Sequence, residues 1–150
     1  MQAYLVHLQE PKLAVLSTIS KEKGQEHFPI FQDSVNVQKF KEYIQELRNL
    51  NPEEKIALFM DNLSTHRSEK SRAEMTRLEF RCIFNVPYCP EYNPIEFVFS
   101  KVKQKFRTLR ARKLAGTIQD SHRSMVKQAL ESVTKKDVIN CVNHVNKILK

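Results

Sequence analysis

Asp61 and Glu96 are the carboxylates whose surroundings suit chemistry. Asp61 follows the apolar run Lys55–Met60 (Lys-Ile-Ala-Leu-Phe-Met), at the kind of strand end where open α/β sheets collect their ligand sites. Glu96 falls in the first turn of a long helical segment, directly after Tyr88-Cys89-Pro90-Glu91-Tyr92-Asn93-Pro94. If both reach one point, their oxygens could share a hard divalent cation such as magnesium, which prefers carboxylate oxygen and keeps several waters. Each residue also has a purely structural reading. Asn93 as N-cap, Pro94 at the first helical position and Glu96 at the third make a capping box. Asp61-Asn62 can serve as a turn or a cap opening the next helix.

The elements that must position these residues follow from periodicity. Residues 12–19 are short, aliphatic and β-branched and read as a strand. A turn at Lys21–Gln25 and a return strand over His27–Gln32 complete a hairpin. Asn36 is placed to cap a helix from Val37 to Leu50, with Phe40, Ile44 and Leu47 at helical spacing, and Asn51-Pro52 stops it. The unbroken apolar run before Asp61 suits a strand buried on both faces. A helix is predicted from Ser64 or Ser68 to Phe80, with Ala73, Thr76, Leu78 and Phe80 on its spacing, and a strand over Arg81–Pro87. Pro94 to Arg112 reads as one long helix carrying the stripe Ile95, Phe99, Val102, Phe106 and Leu109. Thr117-x-x-Asp120 and Thr134-x-x-Asp137 resemble capping boxes opening helices at 118–132 and 135–149. This order of elements requires an α/β sheet with a parallel crossover, and no domain boundary interrupts it.

Composition narrows the class. A chain of 150 residues favours one domain, and 41% hydrophobic with 28% charged residues is a globular balance. Two glycines exclude a Gly-rich phosphate loop as the functional centre. No apolar run approaches the ~20 residues needed to cross a bilayer, and no signal peptide follows Met1, so the expectation is a chain that is not secreted. Cys82, Cys89 and Cys141 are odd in number and lack a C-x-x-C pair, which points to reduced, mostly buried thiols. The net charge of +8 attracts polyanions, so nucleic acid is the first partner to consider, against ordinary solubility charge.

Phe59-Met60-Asp61-Asn62-Leu63-Ser64-Thr65-His66, then Val86 to Glu96 with its Tyr-Cys-Pro-Glu-Tyr-Asn-Pro-Ile-Glu, then Phe99-Ser100-Lys101-Val102-Lys103, closely resembles the DDE transposases of the mariner superfamily. The 34 residues between Asp61 and Glu96 match the spacing of one branch of that superfamily. Leu13–Ser20 and Asp33-Ser34-Val35-Asn36 also resemble the segments preceding the second Asp. The resemblance spans nearly the whole chain. It implies an RNase H-like α/β fold, a mixed sheet flanked by helices, with three carboxylates gathering two magnesium or manganese ions. Asp61 would be the second carboxylate and Glu96 the third, with Asn62, His66 and Asn93 in support. The implied activity is cleavage and strand transfer of double-stranded DNA, with a homodimer left open and a nuclear location in a eukaryote or a cytoplasmic, nucleoid-associated one otherwise.

The chain departs from that pattern at its start. The first Asp belongs on a strand upstream of Leu13–Ser20, and the expectation is that residues 1–150 form a partial catalytic domain lacking that strand and any helix-turn-helix end-binding domain. Residues 1–10 contain no Asp; Glu10, beside Pro11, and Asp33, in a loop, are poor substitutes. Losing a ligand from a two-metal centre costs most of its activity, so the chemistry is expected to be impaired. The alternative is a non-catalytic, domesticated DNA-binding or dimerisation module.

The basic residues sort by spacing. Glu96, Ser100, Lys103, Arg107 and Arg110 fall on one helix face, and Lys101 and Arg112 belong to the same basic segment. With the resemblance, Lys101, Lys103, Arg107, Arg110 and Arg112 are the expected DNA-phosphate contacts. His66 is placed either to face the site or to take a capping or surface role. Tyr88 and Tyr92 are expected to pack against the start of the long helix.

Overall fold

The computed structural model describes residues 1–10 and 13–150, with the side chains of Tyr4 and residues 6–10 excepted. Pro11 and Lys12, and the side chains of His7 and Glu10, therefore lie outside the described residues. Strands β1 (Gln2–Glu10), β2 (Leu13–Ser20), β3 (Gly24–Glu26), β4 (Ile30–Phe31), β5 (Ala57–Met60) and β6 (Arg81–Phe84) form one mixed sheet. Its order is β3-β2-β1-β5-β6, with β4 paired to β2. β1 runs antiparallel to β2 and parallel to β5, and β5 runs parallel to β6.

The central position of β1 corrects the expectation that the first strand is missing. A strand occupies the middle of the sheet, and it carries no Asp. Leu5 pairs with Met60, so one step beyond that pair stand Val6 on β1 and Asp61 after β5. A short polar-ended sequence becomes a strand here because both flanking strands supply its backbone partners, an effect that local propensity does not register.

Helices cover both faces. On one side α1 (Val37–Leu50) and α3 (Glu69–Arg77) bury Phe40, Tyr43, Ile44, Leu47 and Met75 against Ala3, Leu5, Leu58 and Met60. On the other, α4 (Pro94–Leu114), α5 (His122–Glu131) and α6 (Lys135–Ile148) pack Ile95, Val98, Phe99, Val102 and Val142 against Leu13, Val15 and Ile19. Sandwiched in this way, β2 is buried along its whole length, polar residues included. Its Thr18 hydroxyl is 2.6 Å from the Tyr43 hydroxyl, and Ser17 Oγ accepts from Gln25 Nε2 at 3.1 Å. These partners satisfy the hydroxyls that burial would otherwise strand.

Several local expectations shift. The return strand of the hairpin starts at Gly24 and breaks at His27, whose φ of 32° leaves the extended region before Ile30–Phe31 resumes pairing. Helix 64–80 is two helices, α2 (Ser64–Arg67) and α3, because Ser68 is extended and its Oγ accepts from Ser71 N at 3.1 Å. The inward face of α3 is Ser71 and Met75, continued by Leu78, whereas Ala73 and Thr76 are exposed. Asn36 caps α1 as expected, accepting from Lys39 N at 2.8 Å. Thr134 and Asp137 form the expected capping box of α6. Thr117 does not open α5: its hydroxyl donates to Arg112 O, and Ser121 caps a helix beginning at His122. All three cysteines are free thiols, Cys141 buried and the others half-buried.

Candidate metal and phosphodiester site

The parallel neighbours β5 and β6 end at the same edge of the sheet, and the loops leaving them are tied together. Asn85 N donates to Met60 O at 2.8 Å, and the Asn62 amide donates to Asn85 O. Asn85 clamps the second loop by donating Nδ2 to Cys89 O at 2.7 Å and accepting from Val86 N at 2.8 Å. Sequence reasoning missed Asn85; its signal was an Asn at a strand end before Val86-Pro87, where an Asx turn forms readily. The loop then carries Tyr88 at φ 60°, fully exposed, before a 3-10 turn at Pro90–Tyr92 delivers the chain into α4. Tyr88 thus stands in solvent instead of packing on the helix.

This path brings Asp61, Asn62, Asn93 and Glu96 to the wall of one cavity of about 210 Å³, whose remaining lining is the 85–90 loop. The proximity of the two acids shows in their electrostatics. Burial raises the Glu96 pKa above the ordinary carboxyl value, the Asp61 charge raises it further, and Lys103 acts against both. Two like charges in a partly desolvated site are unfavourable until a cation or proton joins them. Behind Asp61 lies His66, 1% exposed, its ring 4.8 Å from that of Phe40. His66 Nδ1 stands 2.8 Å from Asp61 Oδ1, a close polar contact without the alignment of a hydrogen bond. His66 therefore touches Asp61 from the core side, and the cavity wall does not include it.

The structural reading of Glu96 fails on geometry. Asn93 occupies the N-cap position with φ −105° and ψ 108°, yet its side chain makes no cap hydrogen bond. The residue is 1% exposed, and neither Nδ2 nor Oδ1 has a hydrogen-bond partner. Leaving a buried amide unpaired costs about 1–3 kcal/mol. Pro94 at the first helical position has no N–H to offer, and Glu96 N bonds the Asn93 carbonyl at 3.1 Å. The capping box is thus absent, and Asn93 and Glu96 line the cavity instead.

A divalent cation fits this donor set: two carboxylates lining one cavity and a buried amide whose carbonyl oxygen has no partner. Among the described residues no cluster of three or more His, Cys, Asp and Glu side chains could hold a metal, so the acidic part of the site is this pair.

The basic residues divide between two faces of α4. At 100° per residue, Lys103, Arg107 and Arg110 lie within about 40° of Glu96, whereas Lys101 and Arg112 lie about 140° and 160° round the helix. All five are exposed. Lys101 is bound to Asp137 of α6 at 2.6 Å. The structure therefore separates Lys101 and Arg112 from the face that presents Glu96.

A family model described as "DDE superfamily endonuclease" matches residues 7–118. Among solved structures, the Mos1 transposase catalytic domain with raltegravir and manganese superposes with a TM-score of 0.67 at 11% identity, over 97% of this chain and 80% of that one. The same domain with raltegravir and magnesium gives 0.66 at 11% identity over the same shares. The crystal structure of the Mos1 mariner transposase catalytic domain gives 0.60 at 10% identity, over 96% and 81%. A comparison with curated protein sequences finds no match. The mixed sheet flanked by helices is the RNase H-like fold of the Mos1 domain, and with three quarters of its length matched this chain belongs to the DDE superfamily endonucleases.

Proposed function

We propose that this chain acts on double-stranded DNA through transposase-type phosphodiester cleavage and strand transfer, with magnesium or manganese held at Asp61 and Glu96. The observation that carries the reading is the meeting of those two carboxylates, 34 residues apart in sequence, in one cavity at the sheet edge where strands β5 and β6 end. When bound, the cation supplies Lewis acidity at the phosphate and a lowered pKa for the attacking oxygen. The chain's own residues do the rest. Asp61 and Glu96 would bind the cation, whose positive charge offsets the burial and the Asp61 charge that disfavour the Glu96 carboxylate. His66, packed on Phe40, holds Asp61 in place. Lys103, Arg107 and Arg110 run away from Glu96 along one face over about 21 Å, a track for successive phosphates.

The rate is low in this reading, because β1 holds no Asp beside Asp61 and a two-metal centre needs that oxygen. The same observation favours a second reading, a DNA-binding module that keeps the fold without the chemistry. Such a protein works where DNA is, in the nucleus of a eukaryote or the nucleoid of a bacterium. Among the described residues no helix is long and apolar enough to cross a membrane.

A nicking and strand-transfer assay on supercoiled DNA with manganese separates the readings. Weak nicking abolished by Asp61→Asn and by Glu96→Gln supports catalysis. Nicking that survives both substitutions removes these residues from the mechanism. Salt-dependent DNA binding with no nicking at any manganese concentration supports the binding module.

A further inference from the structure

The cavity between the β5 and β6 loops contains one polar group that neither the fold nor the carboxylate pair uses. Asn93 is 99% buried, lines the same cavity as Asp61 and Glu96, and leaves both ends of its amide without a partner. Its neighbours show what a purely structural asparagine does in this molecule. Asn36, at the equivalent position of α1, spends its side chain on Lys39 N at 2.8 Å. Asn85, on the same cavity, has its amide nitrogen bonded to Cys89 O and its amide oxygen to Val86 N. Asn51, equally buried, uses both amide atoms as well. Asn93 alone of these four residues forgoes its partners while losing nearly all contact with water. Buried polar groups in folded proteins are paired, so a buried orphan at the wall of a polar cavity marks a ligand's place.

The chemistry of the missing partner follows from what surrounds it. Two carboxylates, Asp61 and Glu96, line the cavity that Asn93 also lines. An anion is disfavoured by those acids, and an apolar ligand would leave the amide unpaired. A hard divalent cation satisfies all three groups, because a side-chain amide carbonyl is a neutral oxygen ligand for such ions. Asn93 precedes Glu96 by one helical turn, so the two side chains leave α4 close together.

We propose that Asn93 Oδ1 is a third oxygen ligand of the cation held by Asp61 and Glu96, filling part of the coordination that an Asp on β1 would otherwise supply. This inference rests on the metal-dependent reading above and assigns the site a neutral ligand. A site with two charges and one neutral oxygen binds its cation less tightly than one with three charges, because affinity in oxygen-ligand sites follows ligand charge.

The test is Mn²⁺ binding by the full chain at fixed pH, read from the electron paramagnetic resonance signal of free Mn²⁺, with circular dichroism and melting temperature recorded without metal. The variants are Asp61→Asn, Glu96→Gln, Asn93→Ala and Asn93→Asp. Asn93→Ala is expected to weaken Mn²⁺ by at least about tenfold, the scale on which groups that complete a metal site act. Asn93→Asp, of the same size, is expected to bind Mn²⁺ more tightly than the parent chain. If Asn93→Ala binds like the parent while Asp61→Asn and Glu96→Gln lose the ion, the carboxylate site stands and the role of Asn93 is overturned. If Asn93→Asp binds as weakly as Asn93→Ala or more so, the amide acts through its N–H and the ligand assignment fails. If Asp61→Asn and Glu96→Gln leave Mn²⁺ binding unchanged, or the parent chain binds none, the metal reading falls together with this inference. Should Asn93→Ala fold poorly by circular dichroism, the isosteric Asn93→Asp decides the outcome.

Discussion

Replacing Lys103, Arg107 and Arg110 together by Gln tests the DNA track most directly, because the geometry predicts a number. These three cations lie on the Glu96 face of α4, exposed, and among the described residues none of them forms an ion pair. Each phosphate neutralised on duplex DNA contributes about 0.9 to the slope of log affinity against log salt. Three contacts therefore account for about 2.7 of that slope. Between 50 and 200 mM salt, a fourfold change, the parent chain should lose about 40-fold more affinity than the triple variant. Fluorescence anisotropy with a labelled duplex of arbitrary sequence measures it. The matched control is Lys105→Gln with Arg112→Gln, which removes two exposed cations from the opposite side of the same helix. The control should leave the slope within about 0.5 of the parent value. A triple variant with an unchanged slope, or a control that lowers it by the full about 1.8 expected of two phosphate contacts, would refute the assignment of the Glu96 face to DNA.

Three further outcomes follow from the site and its supports. Val6→Asp puts an Asp on β1 at the position after the Leu5–Met60 pair and should raise manganese-dependent nicking about 10–100-fold; no gain would show that β1 does not contribute to the centre. Glu96 has a raised pKa, so its folded carboxyl prefers the neutral form, and its ionisation subtracts stability as pH rises through the folded value. Glu96→Gln should therefore raise the metal-free melting temperature near pH 8 and not below about pH 4, where both states are protonated; an equal gain at both pH values would contradict the electrostatic cause. Asp137 is held down to about 2 by Lys101 and by Thr134, so its contribution is present above the ordinary carboxyl range and is lost as pH falls from about 4 toward 2. Asp137→Asn should cost about 0.2–1 kcal/mol at pH 7 in urea unfolding and flatten that acid limb.

Much of this molecule is local in origin and so was legible along the chain. The helix at Val37–Leu50 follows from one capping Asn and a 3.6-residue apolar period, and both are properties of consecutive residues. The stripe from Ile95 to Leu109 is buried as its spacing requires. Asp61 and Glu96 were candidates because a strand end and a helix start are punctuated by Asn and Pro, and the family resemblance singled them out. The burial of His66 behind Asp61 was open in the sequence, because it depends on Phe40, a residue of another helix.

What only the tertiary structure decided is held by partners distant in sequence. Residues 2–10 become the central strand because β2 and β5 offer hydrogen bonds on both sides, and no residue in that segment announces it. The two faces of the basic helix follow from its spacing, but that Lys101 is tied to α6 depends on where Asp137 lies, 36 residues later. The same holds for Asn93: its sequence context describes an N-cap, and the fold buries it without a cap hydrogen bond at a cavity that Asp61 also lines. Capping and periodicity act over one or two turns of chain and can be read in order. Strand pairing, charge pairing and burial are free energies of residues that meet only after folding, so the composition of the site's walls was settled by the packing of β1, β5, β6 and α4.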